Sequence, residues 1–217
     1  RVFQRIGQEY SSGIYNADVT DTSDAVHFAY FKNEGWLAHA VPTEFADFPA
    51  DAKDPDGYFA AFRADLSVIA YNKQLVSADE VPTSFADLLD PRWKGRMVKG
   101  HPGYSGTIMT ATYVLSEALG WEYFAQLGQQ EVMQVQSSTD PPKKLALGER
   151  ALQVDGNEYV AVQQQMAGVP LKIIYATEGT PLVVGNAAIL DNAPHPNAAR
   201  LFYAFMFSQE AQQLNSD

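Results

Sequence analysis

The sequence predicts an α/β protein with a mostly parallel sheet, and two observations lead to that class. Short apolar runs alternate with segments of helical periodicity between residues 96 and 175, which is the pattern of βαβ units. The run YFAAFRADLSVIAY at residues 58–71 first alternates and then becomes continuous and β-branched, as a buried strand does. No repeat or low-complexity tract interrupts this alternation.

The first part of the chain is predicted to form helix, strand and helix. Apolar residues recur at helical spacing over residues 1–13, where a glycine ends the pattern. A short strand follows over residues 17–20, and a second helix closes at Gly35. Asp21 or Ser23 could cap this second helix, or the polar cluster around them could contact a ligand at the carboxyl end of the strand. The sequence leaves both interpretations open.

Residues 37–56 are rich in proline and aspartate and are predicted to be loop. The strand over residues 58–71 comes next. The remaining strands are expected over residues 96–98, 132–136, 151–154, 171–175 and 182–190, and the remaining helices over residues 84–89, 105–120, 121–127, 141–148, 158–166, 196–206 and 209–214. Asp140 is predicted to cap the helix that begins at Pro141.

The composition excludes several classes of function. The 217 residues are 46% hydrophobic and 19% charged, which allows one large domain or two small ones. A formal net charge of -11, without a Lys/Arg cluster, argues against nucleic acid as a partner. The absence of cysteine excludes disulfides, zinc–thiolate sites and thiol nucleophiles. No apolar run approaches the roughly 20 residues that span a bilayer.

The stretch at residues 98–120 is the strongest candidate for a ligand site. Ser105 begins a helix directly after a strand and a glycine-rich loop. The backbone N–H groups of Gly106 and Thr107, with the Ser105 hydroxyl, would lie at the positive end of that helix, where donors can hold a carboxylate, phosphate or carbonate oxygen. The alternative is an ordinary serine cap without a ligand.

A series of motifs resembles one family of transport proteins. HPGYSGT at residues 101–107 is followed by GW at 120–121, GER at 148–150, GNEY at 156–159 and EGTP at 178–181, and the series ends with APHPNAARLFYAFMFSQEAQ at 193–212. In this order the motifs resemble the extracellular solute-binding proteins of bacterial ABC importers, in the branch called family 1 or ferric iron-binding. The likeness covers nearly the whole chain, and its last motif is the most specific.

The resemblance implies the type II periplasmic-binding fold, in which two α/β lobes joined by a hinge trap a small organic or anionic solute and deliver it to an ABC permease in the inner membrane. Lobe 1 would comprise residues 1–71 and 181–217, and lobe 2 residues 72–180, with crossings near residues 69–73 and 174–182. Family members begin with a strand, a helix and a strand that are not matched here, so lobe 1 is expected to be incomplete. A monomeric, periplasmic protein is expected.

The candidate ligand-binding residues combine this resemblance with positions at strand ends and helix starts. They are Thr22 and Ser23 in lobe 1, Ser105, Gly106, Thr107, Ser138, Asn157, Glu158 and Tyr159 in lobe 2, and Tyr71, Asn72 and Glu178 on the hinge side. Their roles would be hydrogen bonding and electrostatic fit.

Ferric iron with a synergistic anion at residues 105–107 is the alternative ligand, and no other cofactor is expected. Glu158 and Tyr159 would bind the ion, because a hard trivalent cation prefers oxygen ligands. Ferric-binding relatives typically present two adjacent tyrosines at this helix start, whereas this sequence has one. Tyr159 could instead pack its ring and leave its hydroxyl in water. The four histidines show no spacing typical of a metal site.

Two further classes of function remain as weaker alternatives. A hydrolytic enzyme could use Ser105 as nucleophile or Asp155 with Glu158 as an acid–base pair. GYSG, however, is not the GxSxG elbow of α/β-hydrolases, and no motif ties a histidine to Ser105. The ligand-sensing domain of a regulator would carry a basic helix-turn-helix segment, which the sequence lacks. Catalytic residues are therefore not expected.

Overall fold

The computed structural model describes residues 2–216. The chain divides into two compact units. Unit 1 comprises Arg1–Ala64 and Val184–Asp217, and unit 2 comprises Asp65–Val183. The sequence predicts lobe boundaries at residues 71/72 and 180/181. The division into two ligand-binding lobes stays a prediction. Among the described residues, no helix is long and apolar enough to cross a bilayer.

Helices and strands alternate along most of the chain. The helices are α1 (Val2–Ser11), α2 (Ala25–Asn33), α3 (Gly106–Leu119), α4 (Trp121–Gly128), α5 (Asp140–Ala146), α6 (Glu158–Met166), α7 (Pro196–Met206) and α8 (Gln209–Ser216). The strands are β1 (Val19–Thr22), β2 (Ala60–Leu66), β3 (Ile69–Asn72), β4 (Met97–Gly100), β5 (Met133–Val135), β6 (Leu152–Gln153), β7 (Leu171–Ile174) and β8 (Leu182–Ile189).

The strands form two sheets, which confirms the α/β class. The sheet of unit 1 has the order β1-β8-β2, and β1 runs antiparallel to β8 with Thr22 opposite Asn186. Alanines and aromatic residues pack between this sheet and α7, where Tyr203 is 1% exposed and donates its hydroxyl to the Ala187 carbonyl at 3.2 Å. Both faces of β8 are buried, because Ala187 and Ile189 pack in this cluster and Ala188 packs in a second cluster with Phe28 and Phe31 of α2.

The sheet of unit 2 determines where its loops lie. Its order is β5-β4-β6-β3-β7, with β4 parallel to β5 and β6, and with β3 antiparallel to both β6 and β7. Four strands therefore run in one direction. Their carboxyl ends, at Val135, Gly100, Gln153 and Ile174, lie along one edge of the sheet, which we call the carboxyl edge.

The single strand predicted over residues 58–71 is wrong, because β2 and β3 belong to different sheets. The break falls at Ser67 and Val68, whose N–H groups donate to the carbonyls of Pro181 at 3.0 Å and Gly156 at 2.9 Å. Pro181 and Gly156 are both distant from the break in the sequence. The apolar pattern continues through the break because Val68 is fully buried, so periodicity alone could not locate it.

Two predicted helix caps are also corrected. Asp24, and not Asp21 or Ser23, caps α2 by accepting a hydrogen bond from the Val26 N–H at 3.0 Å. Asp140 is the first residue of α5 and not its cap, a position that Thr139 occupies. In both cases the cap lies within a run of residues that can all serve as caps, so the sequence does not single one out.

The helix predicted after Ser105 is confirmed and packs closely on β4. The Ser105 side chain accepts from the Ile108 N–H at 3.4 Å. A Cβ built on Gly100 would lie 2.5 Å from Ile108 Cγ1. Because only glycine permits this approach, α3 begins directly against the end of β4.

Candidate functional site

Polar loops leave the carboxyl edge of unit 2 and lead into helices. Residues 101–105 connect β4 to α3, and residues 154–157 connect β6 to α6. The first N–H groups of both helices have no acceptor within their helix, and the helix dipole makes this end attractive to anions. The edge therefore offers hydrogen-bond donors from two neighbouring strands.

The α3 start carries three of the predicted residues. Ser105 has the extended backbone of a cap residue, and its hydroxyl is 3.4 Å from the Ile108 nitrogen, a long hydrogen bond. Gly106 and Thr107 are the first residues of the helix, and Thr107 is 5% exposed. The Ser105 oxygen accepts this bond, so the hydroxyl can still donate its hydrogen to a ligand oxygen without unfolding the helix.

One hydrogen bond joins the loops after β5 and β6, and a second ties the latter loop to β2. The Asn157 N–H donates to the Ser138 carbonyl at 3.1 Å, and Asn157 Nδ2 donates to the Asp65 carboxylate. Ser138 and Asn157 are both buried, and Asn157 Oδ1 has no hydrogen-bond partner among the described residues. The structure thus brings Ser138 and Asn157 together with one side-chain acceptor still free.

Glu158 and Tyr159 are the first two residues of α6. A third residue, Tyr175, contacts Glu158 and is not among the candidates predicted from the sequence. Tyr175 follows β7 directly and donates its hydroxyl to the Glu158 carboxylate. This bond is the largest cause that raises the pKa of the Tyr175 phenol above its usual value, since it favours the protonated form. Tyr159 and Tyr175 are 49% and 58% exposed. The strand-end rule that selected the other candidates could have found Tyr175.

The carboxyl edge also holds a buried cation. Lys99, on β4, lies beside Asp155, which follows β6, and both side chains are almost completely buried. The sequence suggests for Asp155 only a possible acid–base pair with Glu158. Burial raises the pKa of the Asp155 carboxyl, and the Lys99 charge opposes that rise. The pair joins the ends of two adjacent strands.

The structure does not bring two of the predicted residues to this group. Tyr71 and Asn72 end β3, which runs against its neighbours, so they lie at the opposite edge of the sheet. Asn72 is 3% exposed and binds the Leu145 carbonyl at 2.9 Å and the Gln74 N–H at 2.9 Å. Glu178 accepts from the Ala86 N–H at 3.1 Å, at the start of a 3-10 turn.

Thr22 and Ser23 belong to unit 1, where they end β1 and precede α2. The Thr22 hydroxyl is 3.4 Å from the Asp24 nitrogen and 3.5 Å from His27 Nδ1. His27 stacks on Phe3 with ring centroids 4.5 Å apart. Both distances to the Thr22 hydroxyl are long, so this hydroxyl is weakly held and can rotate toward a ligand.

No group of three or more histidine, aspartate or glutamate side chains within residues 2–216 is arranged to hold a metal ion. Tyrosine is not among these residue types, although a phenol oxygen can also bind a metal ion. Glu158, Tyr159 and Tyr175 are the oxygen-bearing side chains that the α6 start and the end of β7 provide.

Known proteins with the same fold share this architecture. Residues 14–217 match the model of the bacterial extracellular solute-binding protein family. The fructose-6-phosphate-bound periplasmic binding protein AfuA of Actinobacillus pleuropneumoniae is 24% identical, with a TM-score of 0.88 over 97% of this chain and 69% of that chain. Iron-bound HitA of Pseudomonas aeruginosa is 24% identical, with a TM-score of 0.82 over 98% of this chain and 70% of that chain.

A curated relative is the iron uptake protein A1 of Synechocystis, which is 24% identical over 90% of this chain. The chain spans 58% of the length of the Synechocystis protein and 40% of the length of a second curated relative, from Haemophilus influenzae. The structural likenesses confirm the periplasmic-binding-protein fold predicted from the sequence. By the family model, which covers almost all of its residues, the chain belongs to the bacterial extracellular solute-binding proteins.

Proposed function

We propose that this chain is the solute-binding part of a bacterial ABC importer and that it binds a small polar solute at the carboxyl edge of unit 2. The observation that carries the proposal is the arrangement of β4 and β6, whose parallel ends lead directly into α3 and α6. Open α/β sheets bind ligands at the carboxyl ends of their strands. Family membership supplies the transport role.

The chemistry of this edge favours a solute with oxygen acceptors and hydroxyl donors. The N–H groups of Gly106 and Thr107 with the Ser105 hydroxyl suit a carboxylate or phosphate oxygen. Asn157 Oδ1, a buried acceptor without a partner within residues 2–216, would suit a hydroxyl or amine hydrogen of the solute. AfuA, bound to fructose 6-phosphate, shows that a protein of this fold can hold a solute with both kinds of group.

Ferric iron is a second candidate, because a carboxylate and a phenol meet at the α6 start, next to Tyr159 in the sequence. The hydrogen bond from Tyr175 to Glu158 places a second phenol beside the carboxylate, whereas the sequence offered only Tyr159. HitA and the Synechocystis protein support iron as a cargo for this fold. Binding would require Tyr175 to lose a proton that Glu158 now stabilises.

Catalysis is not part of the proposal. AfuA is a periplasmic binding protein and HitA is iron-bound, and the residues around Ser105 suit hydrogen bonding. We infer a periplasmic or otherwise extracellular location from the family, and a permease in the membrane as the partner that receives the solute. A monomer is sufficient for this role.

Thermal unfolding against a solute panel tests the proposal. The panel contains sugar phosphates, small carboxylates, and ferric iron with and without citrate. A ligand that binds only the native state raises the unfolding midpoint in proportion to RT ln(1 + [L]/Kd). We expect Ser105→Ala to reduce the shift caused by the bound solute.

Ser77→Ala is the matched control. Ser77 follows β3 beyond the opposite edge of the sheet, and its hydroxyl donates to the exposed Glu80 carboxylate at 2.6 Å. The control should keep the full shift. Equal shifts in both variants would place binding elsewhere, and a panel without any response would count against the transport role.

A further inference from the structure

One buried side chain at the α6 start has an acceptor that the fold does not use. Asn157 is 6% exposed and directly precedes the first turn of α6, yet its side chain makes no capping hydrogen bond. Its Nδ2 donates to the Asp65 carboxylate, and its Oδ1 has no hydrogen-bond partner among the described residues. Because an ionised carboxylate only accepts, the amide nitrogen faces Asp65 and the amide oxygen points away from it.

A second unpartnered oxygen lies beside Asn157. Ser67 forms an antiparallel bridge with Asn157, and side chains directly opposite each other in an antiparallel pair lie on the same face. Ser67 is fully buried, and its Oγ also has no partner within residues 2–216. Buried polar atoms are nearly always hydrogen-bonded in native proteins. The missing hydrogens must therefore come from outside the chain, either from a bound water or from a group of the solute.

The strand order of unit 2 places these two oxygens close to the α3 start. β4 lies between β5 and β6, and the loops after these two flanking strands meet where the Asn157 N–H donates to the Ser138 carbonyl. Ser105 begins α3 directly after the loop that leaves β4. Because neighbouring strands lie about 4.8 Å apart, a small solute whose acid group binds at Ser105 can reach Asn157.

The charges around Asn157 favour a cationic group over a neutral hydroxyl. Asp65 is bonded to the Asn157 side chain, and Glu158 follows Asn157 in the chain. The nearby Lys99 is paired with Asp155 at 2.9 Å. An ammonium group offers three hydrogens and a positive charge, whereas a hydroxyl offers one hydrogen and none. An ammonium group therefore suits two acceptors that have carboxylates next to them.

We propose that the solute is zwitterionic, with a carboxylate or phosphate that binds at the α3 start and an ammonium group that donates to Asn157 Oδ1 and Ser67 Oγ. The inference rests on the proposed solute-binding function and adds the class of solute, an amino acid or an aminoalkyl phosphate. Asn157 and Ser67 act through direct contact, and Glu158 contributes its charge.

Calorimetric titration of the chain with two matched pairs of probes at pH 7 tests the inference. O-phosphoethanolamine and 2-hydroxyethyl phosphate differ only in an ammonium group that replaces a hydroxyl, as do β-alanine and 3-hydroxypropanoate. The first pair carries a phosphate and the second a carboxylate, so the pairs also separate the two acid groups. We expect the ammonium member of at least one pair to bind about tenfold more tightly than its hydroxyl partner, because charge-assisted hydrogen bonds are the stronger ones.

Two substitutions at the α6 start should reduce this preference. Ser67→Ala removes one acceptor that has no partner among the described residues, and we expect the preference to fall about threefold. Glu158→Gln removes one negative charge and should weaken the ammonium probe by about two- to fivefold, while the hydroxyl probe keeps its affinity. Glu122→Gln, at an exposed acid in the first turn of α4, controls for the change in net charge.

The outcomes separate this inference from the proposed function. Ser105→Ala should weaken both members of a pair alike, because it acts on the acid group that they share. Equal affinity within each pair would indicate water beside Asn157 and would overturn the inference, while the solute-binding role stands. Binding of citrate or fructose 6-phosphate without binding of either ammonium probe would have the same meaning.

A preference that Ser67→Ala and Glu158→Gln both leave intact would place the ammonium group elsewhere and would also overturn the inference. If the unsubstituted chain binds none of these probes and no member of the wider solute panel, the proposed function fails and the inference fails with it. Circular dichroism of each variant checks that the fold is intact.

Discussion

Lys99 Nζ lies 2.9 Å from Asp155 Oδ2, and the two side chains are 7% and 1% exposed. The pair joins the end of β4 to the loop after β6. Taking both charges out of water is costly, and each is tolerated only because the other is present. The pair therefore stabilises the carboxyl edge of unit 2 only while both partners are present.

Removal of either partner should destabilise the chain strongly. We expect Lys99→Met to lower the free energy of unfolding by about 3–5 kcal/mol, because it leaves the Asp155 carboxylate buried and unpaired. The double variant Lys99→Met/Asp155→Leu should recover most of that loss. Urea unfolding of the single and double variants measures the coupling, and a cost of the double variant equal to the sum of the singles would contradict this account.

The contact between Gly100 and Ile108 predicts a second stability effect. Gly100→Ala should cost about 1–3 kcal/mol through overpacking, and the cost should fall when Ile108→Ala removes the atoms that the new methyl group meets. Gly128→Ala is the control, since a Cβ there would meet nothing within 4 Å. Chemical denaturation gives the comparison; an equal cost at Gly100 in both backgrounds would exclude steric overlap as the cause.

A carboxylate in a turn of unit 2 should make stability depend on acid pH. The Thr83 N–H, at 2.8 Å, is the largest cause that lowers the pKa of Asp87, and the Ser84 N–H adds to it at 3.0 Å. Because the folded pKa lies below the ordinary value of 3.8, this contribution is complete above that value and is lost as the pH falls through the folded pKa.

Asp87→Asn should therefore lower stability by about 1 kcal/mol at pH 7 and have a smaller effect at pH 2. Urea midpoints at the two pH values measure the difference. Asp51→Asn, in an exposed 3-10 turn of unit 1, controls for the loss of one negative charge. An effect of Asp87→Asn that is independent of pH would show that the carboxylate charge is not the cause.

Tyr175 separates the two candidate ligands. If ferric citrate binds at the α6 start, phenolate coordination should give a visible charge-transfer absorbance, and both Tyr159→Phe and Tyr175→Phe should diminish it. Tyr113→Phe, an exposed tyrosine of α3, should not change it. Absence of the band in the unsubstituted chain would exclude phenolate-bound iron and leave the organic or anionic solute.

The sequence predicts local structure well where a pattern is complete within one element. The bounds of α6 are those expected from its apolar spacing, and the Ser105 cap and the loops after β4 and β6 also lie where the sequence indicates them. Strand ends and helix starts are marked by glycine and small polar residues, whose backbone preferences are local.

Relationships across the sheet could not be predicted in the same way. Asn72 is a predicted ligand residue because it lies in a predicted crossing between the two lobes. The antiparallel direction of β3 instead puts it at the edge of the sheet opposite the carboxyl edge. The pairing of Lys99 with Asp155 and the bridge between Ser67 and Asn157 depend on strand order and register. Neither is contained in the periodicity of a single segment.

The most direct test of the central claim is a backbone amide NMR titration of the chain with the solute that raises its unfolding midpoint. We expect the largest shifts at the N–H groups of Gly106, Thr107 and Glu158, at the starts of α3 and α6. Shifts confined to the opposite edge of the sheet, around Asn72 and Ser77, would contradict the proposed site.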